Sequence, residues 1–159
     1  MKRFLLMLAL VACGDDSAAS CPSDASLDGA MRSVEVGSGS GSGFSSYVDG
    51  SDQPIVMGLQ GGYMVVPVIR IPVVAMGENP GRVLLSIDNS LDDGLPAPSF
   101  AQRVPLSRNG DYFESPPLEN FLGYLRGELI GRRLTMELRV ESACFDLTNT
   151  TVLQLTEPI

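Results

Sequence analysis

Three cysteines, Cys13, Cys21 and Cys144, and a complete lack of histidine set the chemistry open to this 159-residue chain. Imidazole is the usual proton carrier for serine and cysteine nucleophiles because its pKa lies nearest neutrality, so those mechanisms are excluded in their usual form. Paired carboxylates remain, and glycan hydrolysis by two acids needs their carboxyl groups about 5 to 9 Å apart across a cleft. Glu137 and Glu141 are one such pair, but both fall on the solvent-facing side of an alternating stretch, which reads as a solvated face. Asp88, Asp92 and Asp93 resemble part of a calcium loop, yet Ser90 takes the third position and Asp93 stands where glycine is required. Met57, Met64 and Met76 carry thioethers suited to Cu(I), although methionine on apolar strands is more often core. The run Gly37-Ser38-Gly39-Ser40-Gly41-Ser42-Gly43 has neither the following helix nor the lysine of a phosphate-cradling loop. It reads as a low-complexity loop that packs no core. No metal and no cofactor is expected.

The amino terminus carries a different chemistry. Lys2 and Arg3 form a positive flank, Phe4 to Ala12 a nine-residue apolar core, and Leu10-Val11-Ala12-Cys13 closes it. Nine residues do not span a bilayer, which needs about 20 apolar residues in a helix. The four closing residues resemble the lipobox of bacterial lipoproteins. That resemblance implies removal of residues 1–12 and a diacylglyceryl thioether on Cys13, with further acylation there holding the chain firmly on a membrane. By the same likeness, Gly14 rather than aspartate after the cysteine favours the outer membrane of the cell envelope, facing the periplasm or the surface. With Cys13 lipidated, only Cys21 and Cys144 remain, too few for a zinc site of cysteine–histidine type. In an oxidising compartment they are expected to pair, closing a loop of about 120 residues that the chain-entropy picture credits with up to about 5 kcal/mol. Two separately buried thiols are the alternative.

Beyond Cys13, nine arginines face nineteen acidic residues, a net charge near −10, so no nucleic acid partner is expected. Residues 13–30, rich in Asp, Ser and Ala, read as a flexible acidic tether. Residues 31–159 then suit one domain.

That domain reads as short strands at roughly ten-residue spacing with turn residues between them. Val34 and Val36 form a first strand; Phe44 to Val48 and Pro54 to Met57 form two more. Tyr63 to Val74 reads as one long apolar strand, with Pro67 and Pro72 forcing bulges or an edge position. Arg82 to Asp88 is a strand, Asn89 to Pro98 a loop, Phe100 to Leu106 and Asp111 to Glu114 strands around the Arg108-Asn109-Gly110 turn. Pro116 to Ile130 fits a short helical turn or an irregular crossover. Leu134, Met136, Leu138 and Val140 alternate with polar residues, and Thr148 to Thr156 follows. About seven strands and no long helix indicate an all-β fold, a single β-sandwich of immunoglobulin-like kind.

A second resemblance rests on Asp49-Gly50 and on Gly58-Leu59-Gln60-Gly61-Gly62-Tyr63-Met64, preceded by Val34-Glu35-Val36-Gly37. The Gly-x-Gln-Gly-Gly pattern is similar to one in a family of uncharacterised bacterial lipoproteins, over roughly Val34 to Val74. Met64 stands where that family commonly has histidine. The likeness implies no activity, and Gly61-Gly62 reads as backbone freedom at a hairpin across which Gln60 could bond. The expected role is therefore a lipid-anchored, non-catalytic module that meets an envelope protein or glycan. The carboxylate hydrolase and the Cu(I) binder are the alternatives.

Overall fold

The computed structural model describes residues 33–59, 61–76, 81–142 and 144–158. The expected signal peptide and tether, with Cys13, Cys21 and Gln60, lie outside these. Thirteen strands are formed among the described residues: β1 Glu35–Ser38, β2 Ser45–Ser46, β3 Ser51–Pro54, β4 Val56–Met57, β5 Tyr63–Val65, β6 Val68–Pro72, β7 Arg82–Leu91, β8 Pro96–Pro105, β9 Ser107–Asn109, β10 Tyr112–Glu114, β11 Asn120–Phe121, β12 Arg133–Glu141 and β13 Asp146–Thr156. Single helical turns occur at Val73–Met76 and Arg126–Leu129.

Two five-stranded sheets form, in the orders β2-β1-β6-β10-β9 and β3-β13-β12-β7-β8, and a third of three strands runs β11-β5-β4. Every pairing is antiparallel except β3 with β13. The long strands of the second sheet follow from two-residue alternation. In β12, Leu134, Met136, Leu138 and Val140 are buried while Arg133, Glu137 and Arg139 are exposed. In β7, Val83, Leu85 and Ile87 are buried in the same way. These side chains join Val36, Ile69, Ile71 and Phe113 of the first sheet in one core, so the chain is an all-β sandwich. Each fully buried Leu or Ile contributes about 1.5 to 3 kcal/mol of apolar transfer.

The expected strand from Tyr63 to Val74 is three elements. Pro67 has no N–H to give a ladder, so pairing stops there, leaving β5 in the small sheet and β6 in the first. After Pro72 the chain turns helical. The expected strand from Pro54 to Met57 also divides, because fully buried Ile55 marks the point where the chain leaves β13 and joins β5. Conversely, the loop expected over Asn89 to Pro98 is mostly strand. Gly94 N–H donates to Leu91 O at 2.8 Å and Leu91 N–H to Leu95 O at 3.0 Å, closing a tight hairpin between β7 and β8.

Asn89 belongs inside for a specific reason. At a register irregularity between Ile87 and Asn89, its amide donates to Asn120 Oδ1 at 2.9 Å and to Pro98 O at 2.7 Å. Asn120 Nδ2 donates back to Asn89 Oδ1 at 3.0 Å. Both amides are buried, and the reciprocal pair ties the small sheet to β7 without leaving a polar atom dry.

The Gly-Ser run, expected to pack nothing, is bound to the first sheet by a charged cluster. Arg70 on β6 and Glu114 on β10 face each other across paired strands. Arg70 Nε and Nη2 donate to Glu114 Oε1 at 2.9 and 2.5 Å. Arg70 Nη2 also donates to Gly41 O at 2.8 Å, while Gly41 N–H and Asn109 Nδ2 donate to Glu114 Oε2 at 3.0 and 3.1 Å. The guanidinium lies 3.9 Å from the Phe44 ring centre and 4.8 Å from that of Tyr112. A cation held against aromatic faces gains from their quadrupoles. The Glu114 side chain is only 6% exposed.

Burial alone would raise the Glu114 pKa; the Gly41 N–H, the Arg70 guanidinium and the Asn109 amide outweigh it and hold the carboxyl below its usual range. A folded-state pKa below the unfolded one stabilises the fold above the unfolded value, and this stabilisation is lost as pH falls through the folded value. Glu114→Ala strands a buried guanidinium and lowers unfolding free energy by about 3 kcal/mol, measured by urea denaturation at neutral pH. In Glu114→Gln, the urea midpoint falls less between neutral and acid pH than in the natural protein. An equal acid dependence in both proteins contradicts this assignment.

Candidate interaction surface

The hairpin of β4 and β5 carries the Gly-x-Gln-Gly-Gly motif. Gly58 N–H donates to Gly62 O at 2.7 Å, and Gly61 N–H to Gly58 O at 3.0 Å. The reason for glycine at Gly58 and Gly62 is space. A Cβ on Gly58 would lie 2.9 Å from Phe121 Cε1, and one on Gly62 would lie 3.3 Å from Phe121 Cδ1. The ring of Phe121, from β11, thus rests directly on the hairpin backbone. Three apolar side chains of the hairpin are left exposed: Val56, on the Phe121 side, is 42% exposed, Met57, on the opposite face, 63%, and Leu59 at the tip wholly so.

Beside Phe121 runs a groove of about 330 Å³. Phe100, Gln102 and Val104 of β8 line it together with Pro116, Pro117 and Phe121. β8 is the edge strand of its sheet, so this groove opens along a free margin of the sandwich.

Strand register gathers the hairpin with other exposed apolar residues. Asn120 pairs with Val65 and bonds to Asn89, which lies opposite Met136. From Asn120 the chain runs to Tyr124, whose hydroxyl donates to Pro96 O at 3.0 Å in the β7–β8 hairpin. Because β5 is antiparallel to β11, its hairpin tip points the same way. Leu95, 45% exposed, and Leu125, 73% exposed, lie at this end too. Exposed apolar groups gathered at one place mark sites of contact.

The other sequence-predicted residues fall elsewhere. Asp49 Oδ1 accepts from Val152 N–H at 3.0 Å and Gly50 N–H donates to Val152 O at 2.8 Å, so these two clip a turn to β13. Tyr63 packs partly against the core. The motif therefore divides into two structural tasks. Cys144 is disulfide-bonded, and the other half of its bridge lies outside the described residues.

Glu137 and Glu141 are four residues apart along β12, about 13 Å between Cα atoms. Glu141 instead pairs with Arg139 at 3.1 Å. Met57 lies opposite Tyr63 and Met64 opposite Val56, which puts the two methionines on opposite faces of the hairpin. Asp88 accepts from Ser99 Oγ at 2.6 Å, whereas Asp92 and Asp93 both engage Arg132. The Arg132 guanidinium holds these two carboxyls below the usual range. Among the described residues, no group of three or more Cys, Asp or Glu side chains could hold a metal ion.

The Arg70–Glu114 cluster, the Asn89–Asn120 pair and the Phe121 contact were all missed by sequence reasoning. A lone arginine inside an apolar strand was the available signal for the first, since a buried cation requires a partner. Burial pushes the Tyr47 hydroxyl to a pKa of about 12, and that oxygen meets no partner among the described residues. No protein-family model, curated protein or solved structure matches the chain.

Gly58→Val forces Phe121 aside and destabilises the domain by about 1 to 3 kcal/mol. In a Phe121→Leu background, the same change costs much less. A double-mutant cycle by chemical denaturation measures this, and additive effects of the two substitutions contradict the contact.

Proposed function

We propose that this chain is a lipid-anchored protein of the bacterial cell envelope and acts as a non-catalytic display module: attached through Cys13 to the outer membrane, it meets an envelope protein or glycan by the hairpin end of its sandwich. The observation that carries this reading is that Val56, Met57, Leu59, Leu95 and Leu125 are all exposed and that strand register assigns them to one end of the sandwich, with a groove lined by Phe100 and Phe121 next to the hairpin. Aromatic and aliphatic groups left exposed together gain by being covered, and a flanking polar group such as Gln102 supplies orientation. A net charge of −8 over the whole chain speaks against phosphate-rich partners.

The anchor is supported by the lipobox likeness at Leu10 to Cys13. Among the described residues no helix is long and apolar enough to cross a membrane, so that part of the chain supplies no helical anchor of its own. The oxidised state of Cys144 bears on the same point. A Cys13 sulfur committed to a thioether has no thiol to share, so the reading requires Cys21 as the partner of Cys144.

Two experiments test the proposal. Peptide mapping of protein isolated from membranes yields a lipid-modified Cys13 at the amino terminus and a Cys21–Cys144 bridge; a Cys13–Cys144 bridge rules the anchor out. Cross-linking in intact envelopes captures one stoichiometric partner, and Leu59→Asp reduces its yield at least tenfold. Glycan turnover by the purified protein would overturn the non-catalytic reading.

A further inference from the structure

We infer that the outer edge of β8 pairs with the same edge of a second copy of this chain, antiparallel and centred on Ala101, so that the two copies share one continuous sheet. β8 runs at the margin of its sheet, and among the described residues it is laddered to β7 alone. Pro105 lies opposite Arg82 in that ladder. Proline has no N–H, so this is a position without ladder bonds. By two-residue alternation, Arg103, Ala101 and Ser99 then turn their N–H and C=O groups away from β7. All three residues are exposed, and no loop or turn bonds to their backbone among the described residues. A row of unpaired backbone groups is a ready template for another strand.

The edge itself selects the register. Pro98 and Pro105 bracket it, so a docking strand finds N–H groups only at Ser99, Ala101 and Arg103. With Ala101 opposite Ala101 of the second copy, Arg103 falls opposite Ser99 and Ser99 opposite Arg103. These three opposed pairs each exchange two backbone bonds. A slip of two residues one way brings Pro105 into a bonded pair with Ser99. The opposite slip sets Arg103 against Ala97, beyond the irregularity at Asn89 where the alternation reverses.

Charge selects the occupant. Arg103 is the one charged residue of β8, it is exposed, and it forms no ion pair among the described residues. Ser99 Oγ donates to Asp88 Oδ1 at 2.6 Å, which puts that carboxylate beside Ser99 on the face that Arg103 shares. Each Arg103 therefore meets Ser99 and Asp88 of the other copy, twice over by symmetry. The net charge of −8 on each chain is screened at distances beyond about 8 Å in physiological salt, whereas these contacts are local. On the opposite face Phe100 falls against Gln102 of the second copy, extending the wall of the groove.

In this register the two Ala101 Cα atoms lie about 5.5 Å apart, within disulfide reach, and the two Arg103 Cα atoms about 14 Å apart, beyond it. The full chain carrying Ala101→Cys or Arg103→Cys is solubilised in detergent and oxidised briefly, and joined peptides are identified by mass spectrometry. Two Ala101→Cys chains are expected to join through the introduced thiols at least tenfold faster than two Arg103→Cys chains. Sedimentation gives a second reading that needs no added thiol. Arg103→Glu raises the dimer dissociation constant at least tenfold, and adding Asp88→Arg restores most of the loss. Ala101→Pro does the same as Arg103→Glu, and an unchanged urea midpoint shows that the fold survives, because the N–H removed faces away from β7. Equal joining of the two cysteine variants, or none, overturns the pairing, as does natural protein that sediments as a monomer at all concentrations. If Ala101→Cys in intact envelopes joins a different protein and not its own copy, the edge serves another chain and the self-pairing is overturned.

Discussion

A guanidinium–carboxylate pair, Arg70 with Glu114, is the contact on which the first sheet is assembled. It joins β6 to β10 through side chains where the backbone ladder already joins them, and it adds a third element that no ladder could hold. Gly41 contributes both its N–H and its carbonyl to the pair, so the flexible Gly-Ser run closes over the charges. Phe44 and Tyr112 supply the apolar walls. A buried pair of this kind adds little net stability over an apolar replacement, but with one partner missing it is strongly unfavourable, which makes the arrangement specific.

The two sheets then divide the work. The first holds its centre by charge, while the second is held by alternation, with β7, β12 and β13 each presenting a buried apolar face. Between them the small sheet is tied in by the Asn89–Asn120 amides. Fixed in this way, β11 sets Phe121 against the glycines of the β4–β5 hairpin, and the hairpin turns Met57 and Leu59 to the outside. The display of apolar groups is thus a consequence of polar contacts buried behind it.

Much of the second sheet was legible in the sequence. Leu134 to Val140 alternates strictly with polar residues, and a one-residue shift would send every one of those side chains to the wrong face. The β9–β10 turn was legible too, through Asn109-Gly110. Tyr63 to Val74 was not, because both of its faces are apolar and alternation carries no information where neither face meets water. Two events there depend on neighbours far away: Pro67 ends one ladder, and β1 and β10 claim the residues that follow. The Gly-Ser run hid its role for a similar reason. Its composition describes a flexible chain, and its ligands lie at positions 70 and 114. Of the residues singled out for a site, the glycines of the hairpin were correctly placed at a turn, but nothing local announced the ring of Phe121 lying across them.

Amide hydrogen exchange at Gly41, resolved by nuclear magnetic resonance, tests most directly whether the charged pair organises the loop. Donation to a buried carboxylate predicts protection of the Gly41 N–H comparable to that of the strand amides of Ile71 and Phe113, and loss of that protection in Glu114→Gln while the strand amides stay protected. Exchange of the Gly41 N–H at the rate of an unstructured glycine in the natural protein, with Ile71 still protected, would contradict it.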